Sequence, residues 1–188
     1  MNWSADGFVE LDKALHNRKS FDCGKEELND FLRTRAANHM AAGISRTMVL
    51  PAATPFPGGK QAICAFFTVA PGSIAKETFP KGLTKRLPRY PVPVFLVARL
   101  AVHSHYQGQG LGKITLINAL EYLWKVNVHL KAFAIIVDCL DDAAGEFYRK
   151  YGFEYLGRHN GRTRLFIPMR TVDQLFADRD QLVGEDCH

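Results

Sequence analysis

Apolar positions recur along this chain with two different periods. Between Lys25 and Ala42, residues Leu28, Phe31, Leu32, Ala36 and Met40 return at the three-to-four-residue step of a helix. Glu26 and Glu27 suit the positive end of that helix, and Gly43 can end it. Thr47–Leu50 and Ala62–Ala70 read as strands, joined by a turn containing Pro55, Pro57, Gly58 and Gly59. Prolines at 71, 80, 88, 91 and 93 then break any period, which predicts an ordered surface loop with at most a short helix. Val94–Val102 is almost wholly apolar and β-branched or aromatic, so it reads as a buried central strand. A helix over 110–126 sets Ile114, Ile117, Leu120, Leu123 and Trp124 along one side. Ala132–Val137 reads as another buried strand. Asp141 or Asp142 can cap a helix running to Lys150, which Gly152 stops. Phe153–Leu156 and Leu165–Met169 form a hairpin around Asn160-Gly161. A short helix over Val172–Ala177 precedes an acidic tail, 178–188, expected to be flexible.

Hairpins combined with one β-α-β crossover predict an α/β (α+β) chain, a single mixed sheet with helices against it. At 188 residues the length suits one domain spanning 1–188. The composition, 47% hydrophobic and 23% charged, is ordinary for a soluble protein. The longest apolar run, Val92–Leu100, is too short to cross a bilayer, so no membrane partner is expected. Met1–Asp6 lacks the basic start and apolar stretch of a signal peptide, so a cytoplasmic location is expected. Cys23, Cys64, Cys139 and Cys187 form no C-x-x-C pair, and no histidine stands at a metal-ligand spacing from them. Cys64 and Cys139 lie in apolar runs, where cysteine acts as a small buried hydrophobe. Neither metal nor disulfide is therefore expected. The net charge of +5 matters mainly through its placement. Lys76, Lys81, Lys85, Arg86 and Arg89 form one cluster, and Arg158, Arg162 and Arg164 form another around Asn160-Gly161. Each suits either a polyanion or a solvated loop.

Chemistry enters at Gln107-Gly108-Gln109-Gly110-Leu111-Gly112-Lys113, between a buried strand and a long helix. Glycines at 108, 110 and 112 let backbone N–H groups converge without side-chain obstruction, and the helix adds its positive end. Such a cradle suits a pyrophosphate. A Walker loop would need glycine at Gln107 and Ser or Thr at Ile114. A dinucleotide fingerprint would need glycine at Lys113 or at Thr115. Both nucleotide patterns fail.

What fits is Gln-x-x-Gly-x-Gly at Gln107, Gly110 and Gly112, and here the chain resembles the GNAT superfamily of N-acetyltransferases. A second hallmark is Phe147-Tyr148 followed by Gly152-Phe153. The resemblance implies the GNAT fold, with a splayed central parallel strand pair, and acetyl-coenzyme A as cofactor. It places the cofactor on Leu100, Ala101, Val102 and Gln107 through Lys113: Gly108, Gln109, Gly110, Leu111 and Gly112 lie between. The backbone N–H of Val102 would polarise the thioester carbonyl. Tyr148 would protonate the departing thiolate as general acid. No general base stands out, and an amine of low pKa needs none.

Across residues 10–177 the chain further resembles the TacT/AtaT-type toxins of type II toxin–antitoxin modules. Phe21-Asp22-Cys23-Gly24, Leu28-Asn29-Asp30-Phe31-Leu32, Arg99-Leu100-Ala101-Val102 and Leu165–Thr171 carry that likeness. It implies acetylation of the α-amine of aminoacyl-tRNA, a homodimer and a ribbon-helix-helix antitoxin. Candidate tRNA contacts are Arg33, Arg46, Lys85, Arg86 and Arg89. The alternatives are a GNAT enzyme acetylating protein N-termini, lysines or a small amine, and a non-catalytic partner of a DNA-binding repressor.

Overall fold

The computed structural model describes the backbone of residues 3–55 and 59–184, and side chains as far as 177. Among these residues no helix is long and apolar enough to cross a membrane. The chain divides into two compact units: Met1–Ala70 with Val97–Ala119, and Pro71–Leu96 with Leu120–His188.

The first unit holds the short strands β1 (Val9–Glu10) and β2 (His16–Asn17), then α1 (Glu26–Asp30), α2 (Ala36–Ala41) and β3 (Arg46–Pro55). It also takes the first part of β4 (Gln61–Ile74), the end of β5 (Val92–Val102) and the start of α4 (Leu111–His129). The helix foreseen at 25–42 is therefore present, but a π-helical turn over Phe31–Arg35 separates α1 from α2. Phe31, Leu32 and Ala36 nonetheless all stay on the buried face. Arg18 Nη1 donates to the Arg33 carbonyl at 2.8 Å, satisfying a main-chain acceptor within the wide turn. Gly43, at φ +70°, ends the helix as foreseen: Ile44 N–H reaches back to the His39 carbonyl and Gly43 N–H to that of Met40.

Behind these helices Phe21, Leu32, Val49, Ile63 and Phe66 form one core cluster, with Phe21 edge-on to Phe66 at 5.2 Å between ring centres. β3 and β4 run antiparallel, and the hydroxyls of Thr47 and Thr68 meet across them at 2.8 Å. The register shifts around Pro51, where proline offers the ladder no N–H. His16 is buried, and its Nδ1 accepts the Asp12 N–H at 2.9 Å.

The second unit contains a 3₁₀ turn at Lys76–Thr78, the short helix α3 (Lys81–Thr84), β6 (Ala134–Asp138), α5 (Asp142–Arg149), β7 (Glu154–His159), β8 (Arg162–Pro168) and α6 (Met169–Gly184). Phe79 stands edge-on to Phe133 at 5.1 Å and to Phe166 at 5.6 Å, in the centre of this unit's core. β5 and β6 pair in parallel through Val94–Leu96 and Ala134–Ile136. The strand order β1-β3-β4-β5-β6-β8-β7, with β2 beside β4, makes one mixed eight-stranded sheet. The hairpin turn falls at Asn160 and Gly161, at φ +48° and +76°, as the Asn-Gly pair demands.

Most differences from the sequence pattern concern ends. β3 and β4 are each longer than foreseen, and α6 begins at Met169 and continues to Gly184. The expected flexible tail is thus helical in its first part, and 185–188 lie outside the described residues. β1 and β2 are two residues each, too short to leave a period in the sequence.

Phe166→Ala should lower stability by about 3–5 kcal/mol, because it empties the middle of the second core. Urea unfolding checks this. Burial lowers the pKa of His16, so the folded chain resists its protonation. The unfolded chain then binds the proton more readily, and stability present above about pH 6.5 is lost on acidification. The melting temperature should fall from pH 7 to 5, and less steeply in His16→Gln.

Candidate active site

Local chain geometry builds the phosphate loop. β5 ends at Val102, and the His103 N–H donates to the Cys64 carbonyl at 2.9 Å. A 3₁₀ turn over Ser104–Tyr106 follows, capped by the His103 side chain. Gly108 and Gly110 then adopt φ +73° and +81°, and α4 starts at Leu111. A Cβ built on either glycine would meet no atom within 4 Å. Glycine is needed there for the left-handed backbone and not for lack of room. Gly112 lies inside the first turn of α4, so two of the three glycines make the bends. The first N–H groups of α4 have no carbonyl one turn back within the helix, and the ladder is entered at Ile114 N–H to Gly110 O. These donors lie at the positive helix end, next to glycines whose added Cβ would meet nothing.

Gln107 has a role the sequence did not reveal. Its Nε2 donates to the Val102 carbonyl at 2.8 Å and to the Cys23 carbonyl at 3.0 Å. The side chain ties the strand end to the segment before α1. Gln109 likewise turns back, donating to the His105 carbonyl at 2.9 Å. Lys113 is exposed on the first turn of α4, and Leu111 is buried beneath it. Leu100 is half-buried, while Ala101 and Val102 are buried.

Tyr148 belongs to the second unit. Asp141 caps α5, its Oδ1 accepting the Ala144 N–H at 2.9 Å. Gly152, at φ +87°, closes it, with Phe153 N–H returning to the Tyr148 carbonyl. Tyr148 is 7% exposed, with its ring against Phe147 and Phe153 at 5.3 and 5.4 Å. Burial pushes its phenol well above the ordinary tyrosine range, and the nearby Cys139 adds to this. The proton is therefore firmly held. Tyr151 packs on Phe147 at 5.2 Å, in keeping with a structural part.

The expected cationic contacts divide into two kinds. Arg33 is committed within its own unit, donating to the Phe21 carbonyl at 2.8 Å and pairing with Glu26 at 3.2 Å. Arg46 pairs with Glu10 at 2.9 Å. Lys85, Arg86 and Arg89 are exposed, with no ion pair among the described residues. In the other basic cluster, Arg164 grips Asp138 through two bonds of 2.6 and 2.7 Å, and Arg158 donates to the Gly161 carbonyl. Charge alone had not distinguished these two arginines from free surface positives.

Residues 66–155 match the family described as Acetyltransferase (GNAT) domain. A "tRNA-acetylating toxin" of Mycobacterium tuberculosis (strain ATCC 25618 / H37Rv) is 38% identical over 136 residues, which span 72% of this chain and 76% of that protein. The chain belongs to the GNAT acetyltransferases. Solved structures agree in fold. "AtaT complexed with acetyl-methionyl-tRNAfMet" superposes with a TM-score of 0.80 at 27% identity, covering 90% of this chain and 98% of that one. "AtaTR bound with AcCoA" gives 0.76 at 27% identity, covering 91% and 99%. The GNAT fold is thus shown, and acetyl-coenzyme A is the cofactor of this acetyltransferase. Its loop fits that group: two left-handed glycines with open space above them, followed by unpaired helix N–H groups, suit a diphosphate.

Gly110→Ala should leave the GNAT fold intact, because the new methyl meets nothing, yet strain the loop by about 1–2 kcal/mol. Titration calorimetry should show weaker coenzyme A binding, with only a small change in melting temperature.

Proposed function

We propose that this acetyltransferase acetylates the α-amine of aminoacyl-tRNA and thereby blocks translation, as the toxin of a toxin–antitoxin module. The likeness to the tRNA-acetylating toxin carries this reading. Exposed Lys85, Arg86 and Arg89 support it, since cations with no ion pair among the described residues are available to phosphates. A small ribbon-helix-helix antitoxin, a homodimer and a cytoplasmic location belong to the same proposal. Arg33 and Arg46 are weaker candidates for tRNA, because each would first have to leave a carboxylate.

The bound cofactor supplies an activated acetyl group and a sulfur leaving group. Gly108, Gly110 and the first N–H groups of α4, through Lys113, would hold the diphosphate. Backbone groups of Leu100, Ala101 and Val102 would hold the pantetheine arm in the manner of a neighbouring strand, and Val102 N–H would polarise the carbonyl. Tyr148 would carry its proton on the phenolic oxygen and give it to the departing sulfur. Burial keeps that oxygen protonated throughout the neutral range, so the acid is always loaded. An aminoacyl ester has an α-amine of low enough pKa to attack without a protein base, and the proton it loses passes through water and restores the phenol.

Purified protein given acetyl-coenzyme A and charged tRNA should yield N-acetyl-aminoacyl-tRNA. Labelling of protein substrates alone would overturn the tRNA reading. Tyr148→Phe should reduce turnover on the order of 10²–10⁴-fold while leaving cofactor affinity unchanged. Equal turnover in the two proteins would remove the general-acid role. Above neutrality, activity should show no loss attributable to this phenol until beyond about pH 10.

A further inference from the structure

Residues Phe21–Gly24 form a strip whose main-chain groups are gripped from two sides. On the side of α1 and its π turn, Arg33 Nη2 donates to the Phe21 carbonyl at 2.8 Å. Cys23 N–H donates to Asn29 Oδ1 at 2.9 Å, and Gly24 N–H donates to Asp22 Oδ1 at 2.8 Å. On the side of the phosphate loop, the N–H and hydroxyl of Ser104 donate to the Asp22 carbonyl at 2.8 and 2.9 Å. Gln107 Nε2 donates to the Cys23 carbonyl at 3.0 Å. One residue, Cys23, thus presents its N–H to Asn29 and its carbonyl to Gln107.

Asn29 is 2% exposed and polar, which calls for a full set of partners. Its Nδ2 donates to Asp22 Oδ1 at 2.8 Å and, at 3.5 Å, to Glu26 Oε2. A carboxylate only accepts, and the Cys23 N–H only donates, so the orientation of the amide is determined. The same bonds keep the Asp22 carboxyl below the usual range, with the Gly24 N–H contributing most and Asn29 next. No apolar or charged side chain of similar size offers both a donor and an acceptor at this place.

Accepting the phosphate-loop reading, we infer that Asn29 is a positioning residue for coenzyme binding: it sets the Phe21–Gly24 strip, which in turn sets Gln107 and Ser104 and hence the bend at Gly108–Gly110. It touches neither cofactor nor substrate. The helix of the first unit thereby controls the loop through main-chain hydrogen bonds, and the π turn brings Arg33 to the same strip.

Calorimetric titration of the full chain with coenzyme A, alongside melting temperatures, tests this. Asn29→Asp places a second carboxylate against Asp22 and removes the donor, so the Kd should rise about tenfold. The exchanged pair Asp22→Asn with Asn29→Asp restores one donor facing one acceptor, and the Kd should return to within about threefold of the starting value. A residue that merely supports the fold would shift melting in Asn29→Asp without moving the Kd. That outcome, or an exchanged pair that binds no better than the single variant, overturns the inference. Should Asn29→Asp not fold, Asn29→Ala removes both bonds without adding charge, and an unchanged Kd there is equally decisive. Absence of any binding by the unaltered chain is a different result, for it removes the phosphate-loop reading itself.

Discussion

The side-chain amide of Gln107 is the fastening on which the candidate site depends. Two carbonyls, of Val102 and Cys23, converge on a single nitrogen. One belongs to the end of a central strand and the other to the segment that leads into α1. An amide donating both hydrogens inward cannot also point at a ligand, so anion recognition passes to the backbone that follows. That division explains why the loop can consist of glycines: its shape is imposed from behind, by hydrogen bonds, and its outward surface is made of N–H groups. An unsupported run of glycines would have to be ordered by the ligand, at a cost in binding free energy.

Tyr148 is prepared by a different means, namely burial. α5 is fixed at one end by the Asp141 cap and at the other by Gly152, and aromatic neighbours exclude water from the ring. Desolvation disfavours the phenolate, so the phenol stays protonated and is a weaker acid than an exposed one. In the proposed mechanism the loop would act through main-chain dipoles, and the phenol from a dry surrounding.

Much of this was legible in the sequence, and what was not has physical reasons. Long periodic segments such as α4 and the buried strands announced themselves, as did Asp141, Gly43 and the Asn160-Gly161 turn, because each has local chemistry that allows few alternatives. The Gln-x-x-Gly-x-Gly string gave the cofactor class. The π turn at Phe31–Arg35 left no mark, since a wide turn keeps the same apolar residues inward and is stabilised by the distant Arg18. The inward use of Gln107 was equally hidden: its partners lie at residues 23 and 102, one of them far away in the chain. Arginines were the least readable. Arg33, Arg46 and Arg164 look alike in a list of charges, and only their partners, Glu26, Glu10 and Asp138, show that each is engaged.

The three described cysteines, at 23, 64 and 139, are all buried, and burial pushes each thiol up from its ordinary range. A protein that handles an acetyl thioester faces a hazard of its own making, because any thiolate within reach can exchange acyl groups with the cofactor. Keeping these sulfurs protonated and away from solvent suppresses that transthioesterification. The burial of Cys23 is especially apt, since it sits in the strip beside the phosphate loop, where its thiol turns to the Lys25 carbonyl at 3.7 Å.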